Sequence, residues 1–131
     1  MNNIGIGIIC FFDKKYFIET NKKIEKIISK NVHCYILTDK SSWFLGFHGY
    51  NEYLHLIDYH RDIKSYHDKI ILHKLILNNH NCSIVIDADM NINDYSFIDD
   101  LLSYEFNIGI TYIDTLENQD RKSTRLNSSH A

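Results

Sequence analysis

Ile84-Val85-Ile86-Asp87-Ala88-Asp89 decides how this chain reads: a run of branched apolar residues stops in two carboxylates set one residue apart. Together with Cys82 the run lacks the polar alternation of a half-exposed strand, so residues 82–86 are predicted to form a strand covered on both faces. Strands of that kind occur in parallel sheets sandwiched between helices.

The residues on either side supply the rest of such a layer. Upstream, Tyr66 to Asn79 has helical spacing. Before it, Tyr53 to Ile57 alternates as an edge strand would, and Lys40 to Asn51, with Gly46 and Gly49, reads as loop. Val32 to Leu37 is a second buried strand closed by Thr38-Asp39, and Ile4 to Phe12 is a continuous apolar first strand. Between these two, Ile18, Ile24, Ile27 and Ile28 recur among Lys22, Lys23, Glu25 and Lys26, an amphipathic helix ending near Ser29. Downstream, Phe97 to Leu102 reads as a short helix and Ile108 to Ile113 as a further strand. The sum is an α/β fold with a mostly parallel sheet. Ligands of such sheets bind beyond the carboxyl ends of the strands, where Phe12-Asp13, Thr38-Asp39 and Asp87-Ala88-Asp89 meet.

Composition narrows the chemistry. In 131 residues, 44% hydrophobic and 13% aromatic, there is material for one domain with a core but little for two substrate sites. The net charge is -3, yet the last twelve residues hold Arg121, Lys122 and Arg125 against Asp120; the remainder carries 11 basic and 16 acidic residues. That balance excludes a basic nucleic-acid footprint, so a phosphate-bearing ligand needs a local device such as a metal ion. Cys10, Cys34 and Cys82 stand apart in apolar runs, as buried reduced cysteines do. The apolar N-terminal run is too short to span a membrane and lacks the basic flank of a signal peptide, which points to a cytoplasmic protein. The many Ile, Asn, Lys and Tyr residues and the absence of Pro suggest AT-rich coding DNA and a bacterial source.

Asp87 and Asp89 are hard oxygen donors suited to Mn2+ or Mg2+ bridged to a diphosphate, and the small Ala88 between them lets a ligand approach the backbone. On the preceding helix Lys69, His73 and His80 share a narrow stripe bordered by Ile70, Leu72, Ile76 and Leu77, while Lys74 and Asn78 mark the solvent side. Lys69 is therefore expected to point toward phosphates held near Asp89, or else to be a lysine snorkelling beside a histidine. His33, His48, His55, His60 and His67 show no metal-ligand spacing and are expected at ordinary polar or half-buried places. Gly5 and Gly7 lie inside the first strand instead of after it, which disfavours a dinucleotide or P-loop motif.

The blocks Phe11-Phe12-Asp13-Lys14-Lys15-Tyr16, Tyr35-Ile36-Leu37-Thr38-Asp39 and Asp87-Ala88-Asp89-Met90 come in the order seen in GT-A-fold glycosyltransferases. They most resemble the family of the histo-blood-group A/B transferases and α-1,3-galactosyltransferases, across roughly residues 4–113. The resemblance implies a Rossmann-like GT-A fold, a UDP-sugar donor, Mn2+, and retaining transfer of galactose or N-acetylgalactosamine to a glycan acceptor. It places Phe11, Phe12, Asp13 and Tyr16 against the uridine, with Asp39 and Ala88 at the same strand ends. Asp87 and Asp89 would serve the ribose and metal, and Lys69 would stand as a basic donor-binding residue. Asp13 departs from the family, which has an apolar residue there. The catalytic carboxylate is expected after residue 113. Competing readings are a phosphatase of the haloacid-dehalogenase type, whose DxD normally ends an early strand, and a small non-catalytic α/β binding module.

Residues 120–130, Asp-Arg-Lys-Ser-Thr-Arg-Leu-Asn-Ser-Ser-His, correspond to one translated frame of a common short-read sequencing adapter. Residues 1–119 are therefore expected to be the nucleotide-sugar-binding half of a C-terminally truncated GT-A domain, and 120–131 an artefactual tail.

Overall fold

The computed structural model describes residues 3–11, 14–59 and 67–103, and the backbone of 109–113. The order is β1 (Ile4–Cys10), α1 (Lys14–Ile28), β2 (His33–Thr38), α2 (Ser41–His48), β3 (Leu54–Asp58), α3 (His67–Leu77), β4 (Cys82–Asp87), α4 (Ser96–Ser103) and β5 (Gly109–Ile113). The five strands form one sheet in the order β3-β2-β1-β4-β5, and every pairing is parallel. This is a Rossmann-like arrangement. The expected tail and residues 60–66, with His60 and the expected helix start at Tyr66, lie outside the described residues.

The sheet sorts its side chains by parity. Ile4, Ile6, Ile8 and Cys10 of β1 face the layer that holds Ile24 and Ile27 of α1, Phe44 of α2 and Ile98 of α4. Phe11 and Val85 face the other layer with Leu72 and Ile76 of α3. Gly5 and Gly7 lie on this α3 side and explain their own place within β1. A Cβ on Gly5 would meet Ile76 Cγ2 at 2.5 Å, and one on Gly7 would meet Leu72 Cδ2 at 2.6 Å. The missing side chains let α3 lie close against the centre of the sheet.

Two expectations are corrected. Lys40 to Asn51 is not loop throughout: Ser41–His48 is the helix α2. Gly46 reads as a breaker, but Phe44, 1% exposed, packs 4.8 Å from Phe17 and anchors the helix, so tertiary burial overrides propensity. Gly49 then ends it at φ +68, its N–H bonded to the Leu45 carbonyl oxygen. On α1, Ile18 is 48% exposed, whereas Thr20 and Lys23 are buried beside Ile24 and Ile27. The true inner arc of α1 runs through residues 20, 23, 24 and 27, the i, i+3, i+4, i+7 set, and Ile18 falls outside it.

Candidate functional site at the β1–β4 crevice

Chain order sends β2 and β3 to one side of β1 and β4 and β5 to the other. The carboxyl ends of β1 and β4 therefore flank the point where the winding reverses, the place where open parallel sheets leave a crevice. Ile9 pairs with Asp87 across that boundary, so the carboxyl end of β1 lies beside the turn following β4.

The Asp87-Ala88-Asp89-Met90 segment is a hydrogen-bonded turn, with the Met90 N–H donating to the Asp87 carbonyl oxygen at 3.0 Å. Ala88 and Met90 turn inward, 9% and 5% exposed, while Asp89 is exposed and Asp87 half-buried. Alternate burial directs the carboxylates outward from an anchored backbone. Two lysines close on this turn from opposite faces of the sheet. Lys23, on α1, is 3% exposed and its Nζ donates to the Ala88 carbonyl oxygen at 2.9 Å. Burial lowers its pKa, and the Glu19 and Asp89 carboxylates oppose that shift. Lys69, near the start of α3, places its Nζ 3.1 Å from Asp87 Oδ1. His73, one turn along α3, is buried, and its Nδ1 hydrogen-bonds Ser83 Oγ at 2.7 Å; burial, and then the nearby Lys69 charge, push its pKa down to about 4.

The structure brings Asp87, Ala88, Asp89 and Lys69 together at one strand end. Asp39 is half-buried two strands away, following Thr38, which pairs with Cys10 of the intervening β1. Phe11 is 2% exposed, its ring within the α3-side core 6.5 Å from Tyr59. Tyr16 is half-buried against the α1-side core. Phe12 and Asp13 lie outside the described residues. Lys23 is the residue that sequence reasoning missed, by grouping it with Lys22 and Lys26 on the polar side of α1. Its spacing from Thr20, Ile24 and Ile27 is the signal that could have found it.

A cation's fit can be tested on the donor set. Among the described residues no three His, Cys, Asp or Glu side chains are grouped to hold a metal. Asp87 and Asp89 are two carboxylates, which suits Mg2+ or Mn2+ that keeps waters and takes phosphate oxygens, not an ion caged wholly by protein. An open groove of about 270 Å³ between α2 and the β3 edge, lined in part by Leu45, Tyr50 and Leu54, includes none of these site residues.

The histidines are less scattered than their spacing suggested. At the amino ends of the strands, His33 Nδ1 and His55 Nε2 are 2.8 Å apart, and His80 bonds the Tyr35 hydroxyl through Nε2 and Asn3 Oδ1 through Nδ1, both at 2.7 Å. The Asn3 amide oxygen can only accept, so His80 carries its proton on Nδ1 and the Tyr35 hydroxyl donates to Nε2. This cluster lies at the opposite end of the sheet from the carboxylates. No helix among the described residues is long and apolar enough to cross a membrane.

No protein-family model, curated protein or solved structure matches this chain.

Proposed function

We propose that this domain binds the diphosphate of a UDP-sugar through a divalent cation at Asp87 and Asp89, as the donor half of a metal-dependent glycosyltransferase of the GT-A type. One observation carries the reading. The Asp87-Ala88-Asp89 turn stands at the switch point of an all-parallel sheet ordered β3-β2-β1-β4-β5, where phosphate-bearing ligands of such sheets bind.

Each residue has a task. The Met90 and Lys23 hydrogen bonds hold the turn so that both carboxylates reach the crevice without reorganising on binding. Ala88, turned inward, seats the turn on the α1-side core. Lys69 supplies a cation at the rim, and Asp39, two strands over at the same edge of the sheet, would serve the nucleoside side. When bound, Mn2+ or Mg2+ would neutralise charge developing on the departing diphosphate. A hexose of the galactose or N-acetylgalactosamine type, passed to a saccharide acceptor, follows from the resemblance.

The test is calorimetric titration of the chain with UDP, with and without Mn2+, alongside Asp89→Ala. Metal-dependent UDP binding that Asp89→Ala removes is the expected result. UDP binding indifferent to Mn2+, or unchanged by Asp89→Ala, overturns the reading. Binding of a phosphate analogue with Mg2+ but of no nucleotide would favour the phosphatase alternative.

A further inference from the structure

The two carboxylates of the turn already have cations beside them. Lys69 contacts Asp87 from the α3 face, and Lys23 lies beneath Ala88 from the α1 face, its ammonium stabilised by Asp89. Two aspartates and two lysines leave the turn close to neutral. The side chains of Lys69 and Asp87 are only 18% and 24% exposed, so each would lose a partly desolvated partner if the other left.

Charge bookkeeping then distinguishes the ligands. A lone divalent cation taking Asp87 must push the Lys69 ammonium aside and leave it facing a doubly charged ion. A lone diphosphate can draw Lys69 to itself only against the Asp87 and Asp89 carboxylates. A cation already bound to a diphosphate brings both signs at once: the metal replaces Lys69 on Asp87, and a phosphate oxygen becomes available to the displaced ammonium. Lys69 sits in the first turn of α3, whose start faces the carboxyl edge of the sheet, and its four-carbon stem can swing without moving the helix.

We propose that Lys69 is an exchangeable counter-ion, held by Asp87 before ligand binds and handed to the diphosphate when metal and nucleotide arrive together. The inference rests on the donor-site reading above and deepens it. Metal and nucleotide are then strongly coupled ligands, each raising the affinity of the other by the same factor.

The experiment titrates the full chain with Mn2+ alone, UDP alone and the two together, followed by calorimetry and by Mn2+ electron paramagnetic resonance. The wild type is expected to bind Mn2+ alone weakly and about tenfold or more tightly when UDP is present. Lys69→Met should bind Mn2+ alone more tightly than wild type, since no Lys69 ammonium then competes for Asp87, and bind the Mn2+–UDP pair more weakly, so that the coupling collapses. Lys69→Gln keeps length and polarity without charge and should behave the same way, whereas Lys69→Arg should retain coupling. Trp43 fluorescence and circular dichroism confirm that each variant is folded. If the wild type binds the pair but holds Mn2+ alone as tightly, or if neither Lys69→Met nor Lys69→Gln alters the coupling, the counter-ion role is overturned and the donor site stands. If the wild type binds no Mn2+–UDP at all, both are overturned.

Discussion

The Lys23 ammonium donates to the Ala88 carbonyl oxygen at 2.9 Å, joining the middle of α1 to the turn that ends β4. A buried lysine costs solvation, and burial indeed lowers its pKa, so its place is sustained by that carbonyl and by the Glu19 and Asp89 charges around it. Lys23→Met removes the donor and leaves the Ala88 carbonyl beneath the turn. Unsatisfied buried acceptors cost about 1–3 kcal/mol, partly offset here by relief of the lysine's own desolvation. Urea denaturation should therefore show a loss at the lower end of that range. On the proposed donor site, metal-dependent UDP binding should fall further than stability does, because the turn loses its anchor. A variant as stable as wild type with unchanged UDP binding would contradict the anchoring role.

Gly5 and Gly7 give a second prediction. A Cβ at Gly5 would stand 2.5 Å from Ile76 Cγ2 and 2.9 Å from His80 Cδ2, and one at Gly7 2.6 Å from Leu72 Cδ2. These neighbours are packed core atoms, so Gly7→Ala forces α3 outward or Leu72 off its rotamer, at a cost of about 1–3 kcal/mol. The expected readout is a lower denaturation midpoint with an unchanged slope. A stabilised Gly7→Ala would show that α3 does not lie so close.

The histidines set an acid limit on stability. His73 and His80 are both pushed down to about 4, in each case chiefly by burial, and neighbouring cations or histidines add to it. His55 is lowered too, by burial and by His33. Since these folded-state values lie below the unfolded value of about 6.5, the unfolded chain binds more protons in that interval. Stability should be fully present above about pH 6.5 and should decline as pH falls toward about 4. The urea midpoint measured across that range checks it. His80→Asn should flatten part of the slope, and an equally steep profile in that variant would place the proton uptake elsewhere.

The helix α2 depends on one ring. Phe44→Ala removes a side chain that is 1% exposed and in contact with Phe17 at 4.8 Å, a loss of about 3–5 kcal/mol by the usual cost of emptying an aromatic site. Trp43, the chain's single tryptophan, packs edge-on to Phe17 at 5.6 Å, so its emission reports on the helix directly. A red shift in Phe44→Ala under native conditions is expected, and unchanged emission would mean that α2 holds without its anchor.

By itself the sequence determined the order of the strands and of every helix but α2, the parallel α/β class and the carboxylate pair closing β4. Each of these is written in local periodicity, which a buried strand or a two-faced helix must satisfy whatever its neighbours are. It also marked the stripe along α3 and just past its end, since His73 and His80 are buried and Lys69 half-buried while Lys74 and Asn78 are exposed. Only the tertiary structure decided who meets whom. Lys23 reaches Ala88 across 65 positions and Tyr35 reaches His80 across 45, contacts that exist because the strand order puts β1 between β2 and β4. The helix α2 likewise exists because Phe44 finds a buried place against Phe17, a gain invisible to residues 41–48 alone. The pairing of Lys69 with Asp87 belongs to the same class: spacing along the chain sets the face a side chain occupies, while the sheet sets the charge it finds there.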